Sequence, residues 1–268
     1  VEEETEQNQQ FSIVENPDFL TSKVKMYRGN QEHEFSIAFV RDEMLNSSSF
    51  KHLLHDAELS YLQKLTYERR RRSYTLGRLS AKLAVKKLTN NTSARSIHIG
   101  SGVFGFPIVC SPNVTNTQVS ITHSGPLGVS IAFEEKHPMG IDLEKIRPDN
   151  DKVILNQISQ NEKALLQNIN KFNLEGFTSI WCAKEALSKI LKTGMMINFS
   201  FLEIDNVEMN LKTITYEFKN FGQYKALCYT NEMYALALVL PKKTAVNLED
   251  LWATFNLSTV LFNETTKF

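Results

Sequence analysis

Hydrophobic and polar positions change period several times along this chain. Apolar residues crowd the stretch Phe35-Ser-Ile-Ala-Phe-Val40, which predicts a strand. Val119-Ser-Ile-Thr-His-Ser124 and Gly128-Val-Ser-Ile-Ala-Phe133 alternate around Gly125-Pro126, the pattern of paired strands joined by a turn. Between them the period lengthens. Leu62, Leu65, Leu76, Leu79, Leu83 and Val85 recur at roughly helical spacing, predicting a helix from Ser60 to about Leu88 that ends at Asn90-Asn91. Ser96 to Ile99 then predicts a short strand ahead of the glycine-rich turn at 100–107.

A second series follows. A strand is expected over 139–144, helices over 151–170 and 174–192, and strands near 199–206, 211–218, 224–229 and 234–240. No self-similarity of roughly 20–50 residues is apparent, which argues against a solenoid. Both series wrap strands around long helices. The expected class is α+β, with similar halves at 17–134 and 135–244 joined near 134–139. Residues 1–16, rich in Glu, Gln and Asn, are expected to be a disordered tail, and 245–268 a C-terminal appendage containing a helix.

Composition narrows the class without naming it. The 268 residues are 42% apolar and 22% charged, as in an ordinary globular protein with room for a sizeable core. Thirty basic and thirty acidic side chains balance, which speaks against a chain devoted to nucleic acid. Cys110, Cys182 and Cys228 have neither zinc-ligand spacing nor an even count, so reduced thiols are expected. No apolar run approaches the ~20 residues of a membrane span. The first ten residues are acidic and polar rather than basic and then apolar, and a cytoplasmic protein is expected.

The chemistry concentrates between Gly140 and Lys189. In Gly-Ile-Asp-Leu-Glu (140–144) the strand period puts Asp142 and Glu144 on one face, about 6–7 Å apart along the backbone. In Trp-Cys-Ala-Lys-Glu-Ala-Leu-Ser-Lys (181–189) the helical period collects Trp181, Glu185, Ser188, Lys189 and Lys192 on one side. Ile180, Ala183, Leu187, Ile190 and Leu191 fall on the other. If strand and helix pack together, carboxylates and lysines converge. Such a site suits Mg²⁺, which takes one or two carboxylates plus phosphate oxygens while lysines hold the remaining charge.

Taken with Arg-Arg-Ser-Tyr-Thr-Leu-Gly-Arg (71–78) and Lys82, Phe-Gly-Phe-Pro (104–107) and Ser-Ile-Thr-His-Ser (120–124), this pair of segments resembles the 4′-phosphopantetheinyl transferases. The resemblance is to the large, pseudo-dimeric, surfactin-synthetase-activating type. It implies an intramolecular pseudo-dimer with a cleft between its halves. It also implies an activity: Mg²⁺-dependent (Mn²⁺ as the substitute) transfer of phosphopantetheine from coenzyme A to a serine of an apo acyl or peptidyl carrier protein. Adenosine 3′,5′-bisphosphate is the other product. The expected metal ligands are Asp142, Glu144 and Glu185, with Glu185 and Lys189 catalytic. Glu185 or a metal-bound water takes the serine proton.

For coenzyme A, the resemblance assigns Arg70 and Arg78 to the 3′-phosphate. Ser120, Thr122 and His123 are placed near that phosphate and the adenosine, and Asp142, Lys184, Glu185 and Lys189 toward the pyrophosphate. Lys184 lies about 140° around the helix from Lys189, so the two do not hold the same oxygen. Gly105, Phe106 and Pro107 are expected to shape a turn against the adenine or the core. Phe106 stands where many relatives carry lysine. The implied protein is a monomer, binds no nucleic acid and no membrane, and serves fatty-acid or polyketide carriers. Two rival readings stay open: a carrier-binding module without catalysis, and a nucleic-acid binder using Arg69 to Arg72.

Overall fold

The computed structural model describes residues 18–46, 48–90, 93–148 and 151–261. The expected tail at 1–16 lies outside them. Strands β1 (Phe19–Arg28) and β2 (Gln31–Arg41) form a hairpin whose tight turn is allowed by Gly29 at φ +60°. Helices α1 (Asp56–Lys64) and α2 (Glu68–Thr89) follow, then a small ribbon of β3 (Ile99–Ser101) and β4 (Pro107–Val109). Strands β5 (Thr117–Ser124) and β6 (Leu127–Glu134) complete the first half. The second half contains β7 (Gly140–Lys145), α3 (Asp151–Leu155), α4 (Gln160–Asn168) and α5 (Leu174–Ile190). It continues through β8 (Ile204–Asn210), β9 (Thr213–Phe218), β10 (Tyr224–Thr230) and β11 (Tyr234–Pro241). The chain then returns to the first half with β12 (Thr244–Val246) and closes with α6 (Leu248–Leu261).

The class is α+β, built on two five-stranded antiparallel sheets ordered β12-β1-β2-β6-β5 and β7-β11-β10-β9-β8. Helix α2 covers the outer face of the first sheet through Leu76, Leu79 and Leu83. Helix α5 covers the second through Ile180, Ala183 and Leu187. The inner faces share one core, in which Phe39 and Ile131 meet Leu143 and Leu236, and Leu251, Trp252 and Phe255 of α6 close the end. The C-terminal segment thus completes this central core.

Side chains repeat between the halves as well as strands. Ala-Lys-Leu-Ala (81–84) on α2 and Ala-Lys-Glu-Ala (183–186) on α5 each bury a lysine completely. Lys82 pairs with Glu58 at 2.7 Å, and Lys184 with Glu162 at 2.8 Å. Glu58 and Glu162 each stand at the third position of a short helix and accept from the backbone N–H of the cap residue, His55 or Ser159. The other carboxylate oxygen of each, Oε1, accepts from a distant backbone amide, Ile99 or Ile204. Lys82 also donates to the Ile97 carbonyl, and Lys184 to that of Gln157. Each buried lysine thus meets a carboxylate and a backbone carbonyl together, the kind of compensation under which a buried ion pair is tolerated.

Several sequence expectations need correction. The helix expected from Ser60 to Leu88 is two helices. Leu65 turns extended, and Arg71 reaches back to donate to the Leu62 and Leu65 carbonyls at the end of α1. The pattern over 151–170 is likewise broken, because the Ser159 side chain caps a new start by accepting from Glu162 N–H. Strand β1 was not anticipated, the short strand expected at 96–99 lies at 99–101, and the stretch near 199 begins as a 3₁₀ turn before β8.

The seam between the halves positions the site. Strands β5 and β7 lie side by side, and it is the hydroxyls of β5 that accept from β7. Ser120 Oγ accepts from Ile141 N–H (3.1 Å), Thr122 Oγ1 from Leu143 N–H (3.2 Å) and Ser124 Oγ from Lys145 N–H (2.9 Å). Across from this zipper, β7 runs hard against α5. A β-carbon at Gly140 would stand 2.1 Å from the Ala186 carbonyl oxygen, so only glycine permits the approach.

Candidate active site

Strand β7 turns Asp142 and Glu144 toward α5, which presents Glu185 and Lys189 one turn apart. Thr122 donates to Asp142 Oδ1 (2.9 Å), and Ser124 donates to Glu144 Oε2 (3.0 Å). Lys189 Nζ donates both to Asp142 Oδ1 (2.7 Å) and to the Ile141 carbonyl (2.8 Å). Two oxygens are left over. Asp142 Oδ2 and Glu185 Oε1 are buried without a hydrogen-bond partner among the described residues.

The electrostatics follow from that crowding. Burial, and then the charge of Asp142, push the Glu185 carboxyl up to about 7. The same two causes, in the same order, raise Glu144. Lys189 offsets only part of the repulsion among three carboxylates. A hard divalent cation with oxygen ligands fits this cluster, since it would satisfy the orphaned oxygens and neutralise the charge that burial penalises.

The opposite wall is basic and aromatic. Arg70, Tyr74 and Arg78 recur at intervals of four on α2 and so share a face. The Arg78 guanidinium lies 4.8 Å from the Tyr74 ring centroid, and the Tyr74 and Tyr61 rings are themselves 4.8 Å apart. Arg78 Nη2 donates to Ser101 Oγ (3.2 Å), while its Nε is buried without a partner among the described residues. The neighbouring arginines are otherwise engaged. Arg71 caps α1, and Arg72 pairs with Asp42 at 2.6 Å.

Between the two walls lies a cleft of about 850 Å³. Of the residues singled out in the sequence, it brings together Arg70, Arg78, Gly105, Pro107, Thr122, His123, Asp142, Glu144, Glu185 and Lys189. Three others lie elsewhere. Lys184 is buried on the far side of α5 against Glu162, as the rotation around the helix requires. Ser120 spends its hydroxyl on the Ile141 amide and faces a smaller neighbouring cavity of about 250 Å³. Phe106 faces the same cavity, folded over Gly102, with Lys192 Nζ 4.7 Å from its ring centroid. Its ring meets a glycine and a lysine at the rim and is half-buried, outside the core.

Sequence reading passed over Tyr74, Tyr61 and Ser101. Tyr74 could have been found, because it sits midway between Arg70 and Arg78 at helical spacing. Tyr61 and Ser101 carried no such signal, coming from α1 and from the ribbon strand β3.

Chemically, this is a cleft able to seat a polyanionic ligand between guanidinium groups and a carboxylate-held cation. Residues 138–239, which span β7, α5 and most of the second sheet, match the model of the 4′-phosphopantetheinyl transferase superfamily. No curated protein matches the chain. Among solved structures, a holo-(acyl-carrier-protein) synthase from Bacillus anthracis str. Ames in complex with CoA (3′,5′-ADP) overlaps 42% of this chain and 97% of its own. Identity is 18% and the TM-score 0.33. At that level the overlap carries no functional information.

Proposed function

We propose that this protein transfers the 4′-phosphopantetheine group of coenzyme A to a serine hydroxyl of an acyl or peptidyl carrier protein, releasing adenosine 3′,5′-bisphosphate. The observation that carries the reading is the pair Asp142 Oδ2 and Glu185 Oε1, orphaned oxygens at the head of a cleft whose other wall is Arg70 and Arg78. Asp142 and Glu185 also fall in the segment that matches the superfamily. The reading extends to the large, pseudo-dimeric type, acting as a cytoplasmic monomer on carriers of fatty-acid or polyketide synthesis.

Asp142, Glu144 and Glu185 would hold Mg²⁺, with Mn²⁺ as substitute; bound there, it supplies charge neutralisation to the pyrophosphate. Arg78, braced by Tyr74 and Ser101, grips the 3′-phosphate with its free Nε, and Arg70 and His123 extend that grip. Lys189 exchanges one of its present acceptors for a pyrophosphate oxygen. The serine hydroxyl attacks the phosphorus that bears the pantetheine arm. As the new O–P bond forms, the bond to the adenosine bisphosphate oxygen breaks. Glu185, or a water that it orients, takes the serine proton.

The decisive experiment incubates the protein with coenzyme A, Mg²⁺ and a panel of apo-carriers and weighs each carrier intact. A gain of one phosphopantetheine, absent with the serine-to-alanine carrier, is expected. Coenzyme A binding without any gain, across all carriers, would leave a binding module in place of an enzyme. No binding at all would remove the reading.

A further inference from the structure

A second cluster of ligating side chains lies outside the cleft, where the first half hands over to the second. His33 of β2, Glu134 at the end of β6, and His137 in the turn that leads to β7 each offer one donor atom. These atoms all lie within 4.8 Å of one another. The two imidazole rings have centroids 4.2 Å apart and are tilted by 51°. His137 is only 4% exposed, and neither of its ring nitrogens has a hydrogen-bond partner among the described residues. A buried imidazole with both nitrogens idle loses its hydration and gains nothing in return, which native interiors seldom tolerate. Glu134 takes Lys136 at 2.8 Å and stands 3.8 Å from His33 Nδ1, so the two imidazoles and the carboxylate converge on one spot.

We infer that His33, Glu134 and His137 form a binding site for a borderline divalent transition ion, Zn²⁺ foremost, with water in the fourth position. Two imidazoles and one carboxylate form the ligand set that Zn²⁺ accepts in three-ligand sites, at about 2.0–2.2 Å from each donor. Nitrogen donors select against Mg²⁺ and Ca²⁺, which take oxygen. Donors on one tetrahedral ion stand about 3.3 Å apart by that geometry, so the widest present spacing of 4.8 Å has to close by about 1.5 Å. Glu134, whose side chain is 46% exposed, opens the way in from solvent, and the ion displaces the Lys136 ammonium from it. His137 N–H already donates to the Glu134 carbonyl (2.9 Å), which holds the turn in a ligating shape. Bound there, the ion ties the 134–139 connection to β2. That connection leads directly into β7, and thus to Asp142.

The test uses the full chain, stripped with a chelator and titrated with Zn²⁺ against a chromogenic competitor, and with Co²⁺ for the visible bands of a tetrahedral nitrogen–oxygen site. One equivalent is expected to bind and to raise the thermal midpoint, and excess Mg²⁺ should not compete. His33→Ala and His137→Ala should each weaken Zn²⁺ by about 100-fold or more, since even partners beyond the ligands cost 10–100-fold. Glu134→Gln should weaken it as well, and Lys136→Ala should tighten it. Should His137→Ala fail to fold, His33→Ala and Glu134→Gln decide the matter. Asp142→Asn should bind Zn²⁺ at this site unchanged. Absence of a stoichiometric site would overturn the assignment, as would affinity indifferent to both histidine variants or lost in Asp142→Asn.

Discussion

Lys189 Nζ donates to Asp142 Oδ1 at 2.7 Å and leaves Asp142 Oδ2 buried without a partner. One ammonium therefore satisfies half of a carboxylate and none of Glu185. An arrangement of this kind is costly by itself and becomes favourable when a cation arrives. Removing the charge without the shape should expose that dependence. Asp142→Asn and Glu185→Gln are each expected to lower turnover by 10²-fold or more, while the thermal midpoint stays near wild type or rises as repulsion is relieved. Turnover measured across Mg²⁺ concentrations, beside a melting curve, checks both halves. An unaltered Mg²⁺ response in both variants would remove the carboxylate cluster from the chemistry.

Arg78 separates two readings of the basic wall. Its Nε is buried and idle, whereas Arg71 and Arg72 are committed to α1 and Asp42. Arg78→Ala should weaken coenzyme A by about 1.5–3 kcal/mol, the worth of a charge-assisted hydrogen bond. It should leave 3′-dephospho-coenzyme A nearly untouched. Arg70, exposed at the cleft edge, should show the same pattern with a smaller loss. Binding isotherms for both ligands decide it, and equal weakening for the two would move the 3′-phosphate elsewhere.

The two lysines of Ala-Lys-Glu-Ala-Leu-Ser-Lys should divide by role. Lys184 is sealed against Glu162, and Lys189 opens to the cleft. Lys184→Met leaves a buried carboxylate uncompensated and should cost about 3–5 kcal/mol in denaturant unfolding, as should Lys82→Met in the other half. Coenzyme A affinity of the folded protein should not move. Lys189→Ala should lower turnover and weaken coenzyme A, and it should cost stability as well, because it takes the ammonium from the buried Asp142. A Lys184→Met protein of normal stability and impaired coenzyme A binding would restore Lys184 to the ligand site.

Much of this division was legible in the chain, and the parts that were not have identifiable causes. Period-2 alternation gave β5, β6 and β7, and with them the shared face of Asp142 and Glu144. Helical spacing put Glu185 and Lys189 together and turned Lys184 away. The failures sit where a remote side chain overrules the local pattern. Arg71 ends α1 by capping it from nine residues downstream of Leu62, which no periodicity can show. Strand β1 does alternate, with Leu20, Val24 and Met26 buried, but Ser22 and two lysines dilute the signal. The function of Ser120, Thr122 and Ser124 was hidden for another reason. Their partners are backbone amides of a strand some twenty residues away, so the hydroxyls resemble ligand-binding groups until β7 is seen beside them.

Those hydroxyls yield the last prediction. Thr122 does two things at once: it accepts from Leu143 N–H and donates to Asp142 Oδ1, so it fixes both the backbone of β7 and the rotation of its carboxylate. Ser120 does only the first, at the Ile141 amide. Thr122→Val and Ser120→Ala should each cost about 1–3 kcal/mol, the price of leaving a buried amide without its acceptor. Only Thr122→Val should also release Asp142. The Mg²⁺ concentration for half-maximal turnover should then rise by about 10–100-fold, as when a partner that orients a metal ligand is lost. Thr122→Ser keeps the hydroxyl and should restore the Mg²⁺ response, though not all of the packing. Ser120→Ala should unfold earlier in denaturant with its Mg²⁺ dependence unchanged. A shift of equal size in both variants, or no rescue by serine, would reduce Thr122 to a structural hydroxyl like its neighbour.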